Sequence, residues 1–364
     1  RSYFFPIGSG GSRSNGQFAE DILGRQEINF DIIGTGQFDL TDDISLNATI
    51  GWNINDRRLK TNSTNLLGFL VNARKETTDL NTAAENTTIN NSRTNIRSNR
   101  GYAQLNFSVW DQLFVNISGA MEASSTVAGS FTYPATDIAW QFTKLPAFDN
   151  SGILTFGKLR ASWGRVGIAA PAHRFQTLAE GGFGYSTYSD PLDVSLWGGG
   201  FSLDDDKGNP DLEPEIKEEW EIGTDLRFLS DRLSVTMTYY QNNIDGIIIP
   251  VDLTPSSGFD TQILNAASME NKGFEMEMGY ELLQKNDWNI NVFGNWATNE
   301  NIVTDLSGTE TIDLSGGSVS SRAIVGQPLG ALFGTGSQTN PDGSFILDAN
   351  GFPQLTPSPI VLGD

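Results

Sequence analysis

The 364-residue chain has no cysteine and one histidine, His173. The first absence removes disulfides, thiolate nucleophiles, Cys-ligated zinc and iron–sulfur clusters. The second leaves no multi-histidine metal centre. Positive charge is also scarce: 23 Lys+Arg stand against 44 Asp+Glu, for a formal charge of −21. Nucleic-acid affinity comes mainly from clustered Lys and Arg, so this balance argues against a nucleic-acid partner. No apolar run approaches the roughly 20 residues of a spanning helix. There is no Gly-Lys-Ser/Thr phosphate loop, no Gly-x-Ser-x-Gly nucleophile elbow and no zinc-binding helix pair, so nothing positive supports an enzyme. The chain opens Arg1-Ser-Tyr-Phe-Phe-Pro6 without an initiator Met or a leader, and a piece of a longer protein is expected.

What is present is strict alternation, the period-2 mark of a strand with two unlike faces. Ile28, Phe30, Ile32, Phe38 and Leu40 interleave with Asn29, Asp31, Gln37 and Asp39, and the pattern resumes after residues 41–43 with Ile44, Leu46, Ile50 and Trp52. Three further hairpins follow, at 102–122, 219–239 and 274–296, with a weaker pair at 134–142 and 158–166, for about ten strands. Short turns sit at 41–43, 111–112, 230–232 and 284–287; long polar connections are read at 54–98, 167–214, 241–272 and 299–364. Single helical turns are expected only near Asn65–Val71 and Ser151–Phe156.

A soluble sandwich also alternates, with its apolar face inward. Three features favour an antiparallel transmembrane β-barrel. The alternating stretches run about 9–11 residues, the length of a tilted bilayer crossing. Short turns on one side and long loops on the other match the two ends of outer-membrane barrels. Trp52, Trp110, Trp220, Trp288 and Trp296 fall at or near the expected strand ends, where a membrane-interface girdle would hold them, instead of at strand middles. The polar face, with Glu219, Glu221, Asp225, Glu275, Glu277 and Glu281, then lines a wet lumen. With the short turns periplasmic, the long connections form the extracellular face, where recognition is expected.

Several stretches resemble the barrel of the SusC/RagA family of TonB-dependent outer-membrane transporters. They are Gly101-Tyr-Ala-Gln-Leu-Asn-Phe107 with Asp111-Gln-Leu-Phe-Val115, Lys158-Leu-Arg-Ala-Ser-Trp-Gly164, and above all Gly208-Asn-Pro-Asp-Leu-Glu-Pro-Glu215 leading into Glu219-Trp-Glu-Ile-Gly223. Asn271-Lys-Gly-Phe-Glu275 and Val325-Gly-Gln-Pro-Leu-Gly330 follow in the family's order. The resemblance implies a barrel of about 22 strands, an N-terminal plug and a TonB-contacting segment, so residues 1–364 would be one portion of that barrel, without the plug and the last strands. It also implies residence in the bacterial outer membrane, uptake of large oligomers (glycans or peptides) energised through TonB, and a SusD-like surface lipoprotein as partner.

Among single residues, Tyr185, Tyr188, Trp197 and Phe201 cluster in a Gly-rich outward loop and are candidate substrate or lid contacts. Asp204-Asp-Asp206 reads as a solvated acidic loop. Asp342-Gly and Asp348-Ala-Asn-Gly351 sit where SusC-like proteins often carry a calcium-type loop, but Phe352-Pro353 replaces its final Asp-Gly, which weakens calcium; no cofactor or metal is otherwise called for. Two other readings stay open. One is a ten-stranded outer-membrane hydrolase, which needs His173 beside an Asp at the mouth and its first and last strands paired. The other is a passive porin or adhesin.

Overall fold

The structure is a computed structural model that describes residues 2–9, 15–71, 87–148, 152–181, 201–285, 287–315, 317 and 319–363. The chain divides into two compact units, residues 1–32 with 52–100, and residues 33–51 with 101–364.

The strands are β1 (Ser2–Ile7), β2 (Asn15–Thr41), β3 (Ile44–Leu67), β4 (Thr87–Val109), β5 (Leu113–Ser124), β6 (Ser130–Trp140), β7 (Leu154–Ile168), β8 (Ala179–Gly181), β9 (Phe201–Leu203), β10 (Asp206–Lys207), β11 (Glu215–Phe228), β12 (Leu233–Asp252), β13 (Thr261–Lys285), β14 (Trp288–Asp305), β15 (Thr311–Asp313), β16 (Val319–Ile324), β17 (Ala331–Gly334) and β18 (Ile360–Gly363). Ten of them, β2–β7 and β11–β14, are the ten read from alternation. Hydrogen bonding orders them β1-β2-β3-β4-β5-β6-β7-β11-β12-β13, with β14 on the other edge of β13; the order does not return on itself. The two-residue β10 adds a parallel pairing at the outward end of β13, Asp206 opposite Thr261. β15–β18 form a separate four-stranded sheet and β8–β9 a small pair.

The strands exceed the sequence expectation, and this corrects the reading of the connections. β3 continues to Leu67, β12 to Asp252 and β13 starts at Thr261, so much of 54–98, 241–272 and 299–364 is paired strand. The physical reason is that alternation reports a difference between two environments. Once a strand leaves the lipid that contrast is lost, and in β12–β14 apolar residues pack into a local core instead, so the ladder continues while the period-2 pattern stops. The outward connection between β5 and β6 is short, residues 125–129, so connection lengths do not alternate throughout. The expected helical turns are also displaced: Asn65–Leu67 ends β3 and Leu154–Phe156 begins β7, while 3-10 turns occur at Phe142–Lys144, Pro146–Phe148 and Pro255–Ser257. Pro fixes φ for the latter two.

Register confirms the two faces. Within the second unit, Ile222 lies opposite Ala161 and Tyr239, and Met276 opposite Met237 and Trp296. On the other face Glu221 lies opposite Ser162 and Tyr240, and Glu275 opposite Thr238. The apolar face is the exposed one: Ile222 and Val292 keep 57% and 56% of their surface, values no water-soluble core residue would show. The polar face needs room close to the sheet. Gly273 supplies it at one point, where an added Cβ would collide with the Tyr240 ring and the Thr298 carbonyl.

Among the described residues, the close-packed cores lie beyond the alternating stretch. One joins Ile249, Ala266, Val303, Leu306, Ile312 and Ala323, seating β15–β16 against β12–β14; the other joins Val127, Phe131, Ala170 and Leu212. Leu306 and Ala323 are 1% and 0% exposed. Leu306→Ala is expected to cost about 2–5 kcal/mol in that local core. Hydrogen exchange would show it as lost protection over 319–325, with β11–β13 unchanged.

Candidate functional site: the polar wall and the outward stalk

Period-2 geometry places the polar residues of β7 and β11–β14 on one wall in the second unit. Lys158 Nζ lies 2.6 Å from Asp225 Oδ2. The Arg160 guanidinium donates to Thr238 Oγ1 and lies 3.9 Å from both Glu221 and Asp225. Higher up, Lys217 Nζ lies 2.6 Å from Glu219 Oε2, which also accepts from Asn242 Nδ2 at 2.9 Å. Asn271 Nδ2 donates to Asn242 Oδ1, and the Tyr240 hydroxyl to Asn299 Oδ1. All of these groups except Lys158 and Asp225, together with Glu275, line a recess of about 560 Å³. The first unit carries the same chemistry by itself: Asn53 donates to Asp31 and Asn55 to Glu27, whereas Asp56, buried and on the alternate face of β3, accepts from Arg58 and Arg97. Such a wall holds water and polar solutes through many weak, exchangeable contacts. It contains no nucleophile–base pair.

The opposite face carries an aromatic row that the sequence showed only in part. Trp163 lies opposite Trp220, the Trp220 and Tyr239 rings are 5.4 Å apart, Tyr239 lies opposite Phe274, and Phe274 and Trp296 are 5.8 Å apart. One side-chain step further outward the same face becomes charged or polar on each strand: Glu218, Gln241, Lys272 and, one step beyond Thr298, Glu300. Trp163 Nε1 donates to Glu218 Oε1 at 3.1 Å, and Lys272 Nζ lies 3.2 Å from Glu300. Tyr239 and Phe274 were missed because single strands do not reveal register; aligning the hairpins across their turns would have found them. Trp52, Trp220 and Trp296 lie within their strands instead of near strand ends, again because the strands outrun the apolar stretch, whereas Trp288 begins β14 and Trp110 sits in the turn after β4. Trp110 and Asp111 both take left-handed φ there.

Of the loop aromatics, Tyr185, Tyr188 and Trp197 lie outside the described residues; Phe201 begins β9 and pairs with Gly181. His173 lines a small outward cavity of about 210 Å³ with Asp204 and Asp206. Both carboxylates are committed elsewhere: Asp204 accepts the Asp206 N–H, and Asp206 accepts from Arg174 and Thr261. Among the described residues no carboxylate hydrogen-bonds His173. Asp342 Oδ1 accepts the Ser344 N–H and hydroxyl, and Asp348 Oδ1 the N–H groups of Asn350 and Phe352, so both carboxylates cap their own turns. Those hydrogen bonds hold both below the usual aspartate range. No group of three or more His, Asp or Glu suited to a metal ion occurs among the described residues.

Residues 2–342 match the family described as TonB dependent receptor-like, beta-barrel. The chain belongs to that family. Its fold is therefore that of an outer-membrane β-barrel, in a family of receptors and transporters. It is 26% identical to TonB-dependent receptor P26 of Formosa agariphila over 64% of the chain, and 22% identical to TonB-dependent receptor SusC of Bacteroides thetaiotaomicron over 58%. It spans only 24% and 21% of those two proteins. The solved RagAB peptide transporter superposes on 94% of the chain and 38% of its own, at 18% identity and a TM-score of 0.74. Family membership leaves the ten-stranded hydrolase without support.

Asp206 gives the outward region a pH signature. Hydrogen bonding by Thr261, then by Arg174, lowers its carboxyl from the ordinary aspartate value. A lowered folded-state pKa stabilises above the unfolded value and is lost as pH falls through the folded one. The β10–β13 pairing is thus expected to be constant near neutrality and to loosen only in acid, and Asp206→Asn should abolish that acid dependence. Exchange at 206–207 and 261–262, corrected for intrinsic rates, measures it.

Proposed function

We propose that the chain is the wall and outer mouth of an active outer-membrane importer of large oligomers, glycans or peptides. It is energised by TonB acting through a plug that occupies the bore, and a SusD-like lipoprotein covers the outward segments. The observation that carries this reading is the pairing of an exposed apolar face with a continuous hydrogen-bonded polar wall in a chain of this family. Names of similar proteins, SusC and the RagAB peptide transporter, support the cargo class and a two-component assembly. The chain's own task is physical: it separates a wet bore from lipid and presents cargo contacts outside. No covalent step is assigned to it.

The aromatic rows mark the membrane edges in this reading. In the second unit Trp163, Trp220, Tyr239, Phe274 and Trp296 form the outer girdle and Trp110 and Trp288 the inner one; in the first unit Trp52 ends the apolar stretch of β3. From Trp288 to Trp296 the strand advances roughly 27 Å, and a tilt near 40° reduces that to roughly 20 Å, close to the apolar band of about 25 Å. The indole N–H of Trp163, donated to Glu218, then sits at the water side of its ring.

Deletion of the full-length gene is expected to abolish growth on one defined class of glycan or peptide, with material of that class co-purifying in the barrel. Growth on every class tested, with an empty barrel, would defeat the import reading. The face assignment has its own test. Val235→Arg, midway between the girdles on the lipid side, should cost about 2–4 kcal/mol of folding stability in lipid, with Ile222→Arg, one step below the outer girdle, costing less. Thr236→Arg, on the wall beside Asp225 and Glu277, should be tolerated. Equal damage from Val235→Arg and Thr236→Arg, read as the heat-modifiable folded band, would contradict it.

A further inference from the structure

The segment Gly208–Glu215 carries no chemistry, yet it is fastened at many points to the outward ends of the sheet. Residues 174–181 and 201–209 run side by side as a two-stranded stalk. Asn209 donates its N–H to the Arg174 carbonyl at 2.9 Å, Gly208 to Thr177 Oγ1 at 3.0 Å, and Asp204 to the Leu178 carbonyl at 2.9 Å, after which β8 and β9 pair. Gly208 permits the closest approach: a Cβ there would collide with the backbone of Gln176 and Thr177.

Below the stalk the segment grips the sheet at four points. Asn209, 8% exposed, donates from Nδ2 to the Ile263 carbonyl and accepts the Asp211 N–H at Oδ1. Leu212, 0% exposed, fills the pocket of Val127, Phe131 and Ala170. Asn265 accepts the Glu213 N–H and donates to the carbonyls of Glu213 and Gly246. Glu215 Oε1 accepts the Ile248 N–H at 2.9 Å. One short segment thereby ties the outward ends of β6, β12 and β13 together and fixes the stalk to them.

A buried leucine alone would be an ordinary core residue. Here it coincides with a glycine whose added Cβ would collide with backbone, and with two asparagines whose side chains satisfy backbone groups of three different segments. Without them those groups would be left unpaired, so an alternative seating of the stalk is costly. We propose that Asn209, Leu212 and Asn265 are positioning residues for capture at the outer face: they set the seat of the stalk and act on cargo only through it. This rests on the import reading. Three-way fastening of this kind is expected where a recognition surface must keep its geometry while standing clear of the barrel.

The test uses the full-length protein in the outer membrane. Leu212→Ala and Asn209→Ala are expected to insert in wild-type amounts, to raise hydrogen exchange in peptides 172–181 and 201–209 by about tenfold, and to lower uptake of fluorescein-labelled tryptic casein peptides or maltodextrins severalfold. Leu212→Met, which refills the pocket, should restore both readouts. A Lys207→Cys/Gln262→Cys pair, at facing positions of β10 and β13, can staple the stalk in the Leu212→Ala background, with any cysteine elsewhere in the full-length protein replaced by serine. Uptake should return on oxidation and be lost on reduction. Unchanged exchange, raised exchange with unchanged uptake, or failure of both alanine variants to insert would each overturn the proposal. If the unaltered protein takes up neither probe, the import reading is what fails, and exchange with and without the staple still decides the clasp.

Discussion

Inside hydrocarbon a backbone N–H or C=O has no water to turn to, so each must find a partner within the protein. A ladder of strands satisfies that demand, and the rest of this molecule follows from it. Once the chain is extended, side chains alternate between lipid and bore whether or not function asks for it. The sequence must therefore be apolar at every second residue and hydrated at the others. Ile222 against Glu221, and Met276 against Glu275, are the smallest examples of that division, repeated strand by strand with matching register.

The same demand does not fix where a strand ends. In the proposed orientation solvent takes over at the aromatic row, where the outer face passes from Trp220 to Glu218, from Tyr239 to Gln241 and from Phe274 to Lys272. Beyond it, stability shifts to ordinary packing, which is why Leu306 and Leu212 are fully buried while the apolar residues of the spanning stretch are not. The two halves of one strand thus obey opposite burial rules, and the tryptophans mark the changeover.

This explains what was legible in the sequence and what was not. The ten spanning strands, their turns and their two faces could be read from Ile28 to Trp296 because lipid and water impose a strong period-2 contrast. The outward continuations of β3, β12 and β13 could not, since the contrast between lipid and water ends there: in β12 and β13 apolar residues such as Ile249 and Ala266 turn to a local core and break the alternation. The aromatic row was half visible: tryptophans stand out singly, whereas Tyr239 and Phe274 join it only when register sets them between Trp220 and Trp296. Gly208–Glu215 was recognisable as a family signature, but its contacts with Ile263, Asn265 and Val127 are long-range and leave no local trace. The wall acids were correctly grouped by face, and their pairing with Lys158, Arg160 and Lys217 again needed neighbouring strands.

The long continuation of β12 and β13 past the aromatic row has a consequence for how a cell displays this protein. In the proposed orientation residues such as 241–252 and 261–272 lie outside the membrane, yet their backbones are locked into a ladder. Their shape exists only when both partners are present. A short synthetic peptide copying either one would be free in solution and would resemble its folded counterpart poorly, so antibodies raised against such peptides should bind denatured protein and ignore intact cells. Reagents meant for living bacteria would have to be raised against the assembled sheet.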